Sequence, residues 1–327
     1  MQPSQIETAI QACLSAVAER ETVSTIYFVA CGGSFAQMHL PKYAVDRNSS
    51  TIVAETYNSA EFIARNPVRL NASSVVILCS SSGNTPETVA AAAFARKKGA
   101  YTIGLTTKPE SELAQVANST VPYVSTPLIG NQDAPSGIIL RIAFGIVHAR
   151  ENSPKATALL SALGKVGDIA AAAQTAHAEV AREWAERNKR EATIYTMASG
   201  SNWGVAYSFS ICILQEMQWI NSQAIHSGEY FHGPFEITDF DTPILLLVGL
   251  GPTRQMDERA HRFAEKYSRN VLVLDAAKID MSGVDPDVAE YITPLIFQPL
   301  MRIYAVELAE RRGHPLTVRR YMWKMEY

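Results

Sequence analysis

TIYFVACGGS at Thr25–Ser34 returns as TIYTMASGSN at Thr193–Asn202, an offset of 168 residues. At the same offset and without a gap, Ser59-Ala60-Glu61-Phe62 meets Ser227-Gly228-Glu229-Tyr230, and Gly83-Asn84-Thr85 meets Gly251-Pro252-Thr253. Three matches at one offset mark two copies of one unit. Each copy opens on a β-branched and aromatic run ending in a small Gly/Ser turn, as a strand running into a loop does. Further runs of this kind lie at 51–55, 75–79, 101–105, 243–248 and 270–274, alternating with helical patterns at 85–98 and 253–267. Strand, helix, strand in this rhythm predicts an α/β fold, each copy a parallel sheet flanked by helices. The predicted organisation is an N-terminal helix over 1–24, a first unit over 25–150 and an Ala-rich helical connector over 151–190. A second unit over 191–305 and a basic, aromatic tail over 306–327 complete it.

The 327 residues are about two domains' worth. With 47% hydrophobic and 19% charged residues the chain is too apolar for disorder, and a net charge of −3 draws it to neither nucleic acid nor anionic membrane. Cys13, Cys31, Cys79 and Cys212 lie far apart, with no CxxC pair and no Cys/His cluster, which argues against a zinc site or a disulfide framework. The N-terminus lacks a basic start and carries Glu7, so it reads as an amphipathic helix and not a signal peptide. No uninterrupted stretch of 18 apolar residues occurs. The expectation is a reduced, cytoplasmic protein with no membrane, nucleic-acid or metal partner.

The chemistry should show where the copies diverge. In the first, the third strand ends in Cys79-Ser80-Ser81-Ser82-Gly83-Asn84-Thr85; the second has Leu247-Val248-Gly249-Leu250-Gly251-Pro252-Thr253 there. A Ser/Thr/Gly turn between a parallel strand and a helix presents hydroxyls and N–H groups to an anion, at the strand end where such sheets bind ligands. Four hydroxyls within six residues exceed what one N-cap needs. Ser80, Ser82 and Thr85 are therefore candidate phosphate ligands, with Gly32, Gly33 and Ser34 as a second small turn at the same edge. No Walker motif and no GxGxxG occurs, so a nucleotide is not the natural ligand. Gly32–Ala36 falls one Gly short of the GxSxG elbow, which leaves a serine hydrolase as a lesser reading.

The acid–base candidates sit in the second copy. The 37 residues from Ala192 to Gly228 hold one charged side chain, Glu216, inside a predicted helix apolar on nearly every face. A carboxylate there is costly unless paired or used. A structural ion pair is one reading; a general acid/base with a tuned pKa is the other. His232 lies in HSGEYFHGP, where Gly233-Pro234 ends regular structure directly after it. The matching residues in the first copy are Asn48 and Ala64, so the copy with the phosphate turn lacks both groups. His226 matches Asn58, which makes a hydrogen-bonding role as good a reading as a catalytic one.

These residues resemble the sugar isomerase (SIS) family, whose members carry two flavodoxin-like domains and bind phosphosugars. CGGS at Cys31–Ser34 and SSSGNT at Ser80–Thr85 look like its phosphosugar loops, and Glu216 with His232 resembles the catalytic pair of the isomerase half of glucosamine-6-phosphate synthase. That family's catalytic Lys, one helical turn before the Glu, is Ile213 here, which argues against aminosugar synthesis. IHSGEYFHGPFEITD and HPLTVRRYMWKMEY look most like Amadori-product deglycases, and among them those acting on 6-phosphofructose-aspartate; those acting on fructoselysine 6-phosphate are similar but more distant. The resemblance implies a homodimer with active sites shared between chains. It implies Glu216 and His232 as catalytic groups and no cofactor, since the substrate's own nitrogen stabilises the intermediate. Lys324, Arg319 and Arg320 are candidates for a substrate carboxylate, a solvated basic tail being the alternative. Competing readings are an aldose–ketose isomerase and a non-catalytic phosphosugar sensor; no helix-turn-helix precedes Thr25, which favours an enzyme.

Overall fold

The computed structural model describes residues 3–127, 130 and 132–326. They divide into two compact units. The first runs to Gly164; the second starts at Lys165 and also takes in Pro127 and Gly130.

The first unit holds a five-stranded sheet of β1 (Thr25–Ala30), β2 (Val53–Asn58), β3 (Ser74–Cys79), β4 (Tyr101–Thr106) and β5 (Ser119–Pro122). All pairings are parallel and the order is β2-β1-β3-β4-β5. β1 and β3 are buried along their whole length, which is why they read as continuous apolar runs. Alternation splits their side chains between two cores. Ile26, Phe28, Ala30, Val75, Ile77 and Cys79 pack in one with the helices Pro3–Ala18 and Pro135–Glu151. Tyr27, Val29, Val76 and Leu78 pack in the other with Phe62 and with Ala91, Ala92 and Ala95 of the helix Pro86–Lys97.

The second unit repeats the plan with four strands, β6 (Tyr195–Ala198), β7 (Ala224–His226), β8 (Ile244–Val248) and β9 (Val271–Asp275). Their order, β7-β6-β8-β9, is that of the first four strands, again all parallel. The repeat seen in the sequence is thus a repeat of topology. Both sheets reverse winding between their first and third strands, at β1/β3 and β6/β8, the crevice where flavodoxin-like sheets bind ligands.

The connector consists of two helices, Lys155–Leu163 and Val166–Asn188, and the division between units falls between them. The helix Pro286–Arg312 runs through the expected boundary at 305, so the irregular part of the tail begins only at Gly313. β2 begins two residues later than the sequence pattern placed it and ends at Asn58. Among the described residues, no single helix is long and apolar enough to cross a membrane.

Candidate active site

In the first unit the register sets Ala30 beside Cys79, so the turns after β1 and β3 emerge side by side. After β1, Gly32 opens a short helix, Gly32–Gln37, at φ +55°, with nothing within 4 Å of where a Cβ would stand. Gly33 follows, and Ser34 hydrogen-bonds the buried Cys79 thiol, which burial pushes up to about 11. After β3, the Ser80 hydroxyl lies 2.8 Å from Thr85 Oγ1 and 3.5 Å from Ser82 Oγ, and accepts from the Gly83 N–H at 3.1 Å. Gly83 has φ +68°, and a Cβ there would sit 2.0 Å from Ser111 Oγ, so only glycine fits. Thr85 holds the N-cap position of the helix Pro86–Lys97 but makes no side-chain cap bond. The Ser80, Ser82 and Thr85 hydroxyls thus bond one another and the Gly83 and Asn84 N–H groups of the turn, and no side chain caps the helix that follows.

In the second unit Glu216 lies in a π-helical segment, Phe209–Met217, that continues the α-helix Trp203–Ser208. An apolar-all-round sequence does not fix helical phase, so the π geometry was not legible. Glu216 keeps 24% of its side-chain surface, and Arg319, 7% exposed, donates to its Oε1 from 2.8 Å. Burial pushes the Glu216 carboxyl above its ordinary range, and Arg319 partly opposes the shift. Cys212, four residues earlier, is pushed up to about 11 by burial and then by the Glu216 carboxylate. Arg319 also donates to the Leu316 and Val318 carbonyls, at 2.8 Å each.

Sequence reasoning grouped Arg319, Arg320 and Lys324 as equals; the structure separates them. Arg319 is bound to Glu216. Arg320 is exposed, with its guanidinium 4.3 Å from the centroid of Trp219, a residue at φ +56° just past the π-helical segment. The His314 ring meets the same indole edge-on at 4.5 Å. Lys324 is exposed.

His232 lies in a 3-10 turn, Tyr230–His232, after β7, and is exposed. The turn is anchored by Tyr230, fully buried, whose hydroxyl lies 2.6 Å from Thr238 Oγ1. Among the described residues, no hydrogen bond or ion pair joins Glu216 to His232 within the chain. His226 does what Asn58 does in the first copy. Its Nδ1 accepts from the N–H two residues on, at 3.1 Å, as Asn58 Oδ1 accepts from Ala60 at 3.0 Å. Its structural reading is the one the geometry carries. Sequence reasoning missed Asp257 altogether, a fully buried carboxylate on the helix Arg254–Tyr267. The repeat held the signal, since Asp257 stands where the first copy has Val89.

A family model described as the SIS domain matches residues 22–129. The chain is 48% identical to a fructosamine deglycase of Bacillus subtilis, over 99% of this chain and 98% of that protein. It is 29% identical to a fructoselysine 6-phosphate deglycase of Escherichia coli O157:H7, over 92% and 86%. A crystal structure from Bacillus subtilis, assigned to the phosphosugar isomerases, superposes with a TM-score of 0.96 at 49% identity, covering 98% of this chain and 97% of that one. A likeness this high, spread over both copies and the tail, means that the chain belongs to the SIS-domain family, beside the fructosamine deglycases.

Proposed function

We propose that the protein is a deglycase that cleaves a 6-phosphorylated fructosyl amino acid, an Amadori product, to glucose 6-phosphate and free amino acid. The observation that carries this reading is Glu216: a carboxylate set in an apolar helical segment, raised by burial, and held in place by one arginine. Such a group can take a proton from carbon near neutral pH. The relatives named as deglycases supply the substrate class. Gly32, Gly33, Ser34, Ser80, Ser82 and Thr85 are the phosphate ligands in this reading.

His232 gives a proton to the ring oxygen and the sugar opens to its ketone. Glu216 removes a C1 proton, and the electron pair forms the C1=C2 bond of an enolamine as the C2 oxygen is protonated. A proton returned to C2 leaves a C1=N imine, and water adds to C1 and expels the amine. The protein works as a homodimer in which His232 of one chain serves the Glu216 of its partner; the exposure of His232 supports this. Aspartate is the amino acid we propose, on the resemblance of the Ile225–Asp239 stretch and the tail. The test is incubation with 6-phosphofructosyl-aspartate, 6-phosphofructosyl-lysine and fructose 6-phosphate in parallel. Free aspartate and glucose 6-phosphate in equal amounts are expected from the first. Turnover of fructose 6-phosphate alone would make the protein an isomerase, and turnover of none of the three would leave a sensor.

A further inference from the structure

The second unit has an anion cradle of its own, and it is full. At the ends of β6, β7 and β8, Ser199 Oγ donates to Asp257 Oδ1 at 2.7 Å, Ser227 Oγ donates to the same oxygen at 2.6 Å, and the Gly249 N–H donates to Oδ2 at 3.2 Å. Asp257 is 0% exposed. The Asn202 amide is also fully buried, its Nδ2 has no hydrogen-bond partner, and it lies 2.9 Å from where a Cβ on Gly249 would stand. By the repeat, Ser199 stands for Cys31, Asn202 for Ser34 and Gly249 for Ser81, in the turns after the first and third strands, and Ser227 stands for Ser59 at the end of the second strand. Gly200 keeps the positive φ of Gly32, +54° against +55°. The charge enters with the helix after the third strand, which carries Val89 in the first unit and Asp257 in the second; in the first unit the Ser59 hydroxyl lies 3.0 Å from Thr88 Oγ1 instead.

We propose that Asp257 is a tethered anion filling a cradle that would otherwise take a small carboxylate or phosphate. By binding Ser227 and Ser199 together it positions the turn that carries His232. Ser227 begins that turn, five residues before His232, and joins it through Asp257 to the ends of the two neighbouring strands. The second unit then binds no phosphosugar, each chain has a single phosphate site, and Asp257 is a positioning residue. The kinetic part rests on the reading of His232 as an acid; the cradle itself does not.

The experiment compares the wild type with Asp257→Ala in sodium formate and in sodium chloride of equal ionic strength, first without substrate. Formate replaces the missing carboxylate, so it should raise the melting temperature of Asp257→Ala and leave the wild type unmoved, by mass action. An equal response of both proteins overturns the cradle, whatever the substrate proves to be. With substrate, kcat of Asp257→Ala should fall by about 10- to 100-fold with KM nearly unchanged, as for a displaced catalytic group, and formate should restore part of it. A wild-type kcat in the variant, or a loss that formate does not relieve, overturns the positioning role. If Asp257→Ala does not fold, Ser227→Ala removes one arm of the link and should lower kcat with KM unchanged; unaltered kcat there overturns the role equally.

Discussion

Removing Arg319 should move the pH dependence of the reaction in a direction fixed by the geometry. The guanidinium lies 2.8 Å from Glu216 Oε1, and both groups are largely out of water. At an effective dielectric constant of about 20, unit charges that close attract by about 6 kcal/mol before the cost of desolvating them. The net value of a charged hydrogen bond is about 1.5–3 kcal/mol, which is about 10- to 150-fold in an equilibrium. A neighbouring cation favours the charged carboxylate. In Arg319→Ala burial is unopposed, and Glu216 takes up its proton at a higher pH. The assay is release of glucose 6-phosphate, followed by coupled reduction of NADP. In kcat/KM the acid limb should shift toward alkaline pH, the variant falling short of the wild type by up to that factor on the limb and approaching it on the plateau. Arg319→Lys keeps the charge but loses the fork that also reaches the Leu316 and Val318 carbonyls, so it should lie between the two. An acid limb that stays in place in Arg319→Ala would refute the electrostatic reasoning. A uniform loss at all pH values would reduce Arg319 to an anchor of the tail.

Replacing Ser80 and Ser82 by Ala together should raise KM steeply, about 10-fold or more, since each hydroxyl removed costs a charge-assisted bond of about 1.5–3 kcal/mol to phosphate; an unchanged KM puts the phosphate elsewhere. Glu216→Gln and His232→Ala should each be nearly inactive as homodimers, yet a verified mixed dimer should regain activity, because one of its two sites collects both lesions and the other none; an inactive mixed dimer places both residues in one chain's site. Glu151 accepts from the Ser49, Ser50 and Thr51 hydroxyls and from the Ser50 and Thr51 N–H groups. Burial opposes its charge but these bonds prevail and lower it to about 2. Its stabilisation is therefore complete above the ordinary glutamate range and lost as pH falls toward 2, so the gap in melting temperature between wild type and Glu151→Gln should close over that interval; a gap that widens in acid contradicts the linkage.

The strands were legible where they are central. β1, β3 and β8 are buried throughout, and burial on both faces leaves an apolar run with sharp ends. β2 lies at a sheet edge, ends in Glu55, Thr56, Tyr57 and Asn58, and so gave the wrong boundaries; its place is fixed by pairing residue for residue with β1, which no local pattern encodes. β7 is three residues long and is held by β6 in the same way. The serine-rich turn after β3 and Glu216 were legible because each breaks the composition around it. The partner of Glu216 was not, because Arg319 comes from a tail whose three basic residues look alike until the chain is folded.

The repeat carries the argument further than either copy does alone. Two units with one topology must answer the same physical question at the β1/β3 and β6/β8 crevices: what satisfies the donors gathered there. The first unit answers with hydroxyls that bond one another around an open turn, and Val89 adds no charge behind them. In the second unit Thr253 is the one hydroxyl left in the third-strand turn, and Asp257 accepts from Ser199, Ser227 and the Gly249 N–H within the chain. A unit closed in this way is free to hold other groups rigidly at its rim, and Glu216 and His232 lie in that unit. On the function and the cradle proposed above, substrate capture falls to the first copy and proton transfer to the second, with the negative charge supplied by the ligand in the one and by Asp257 in the other.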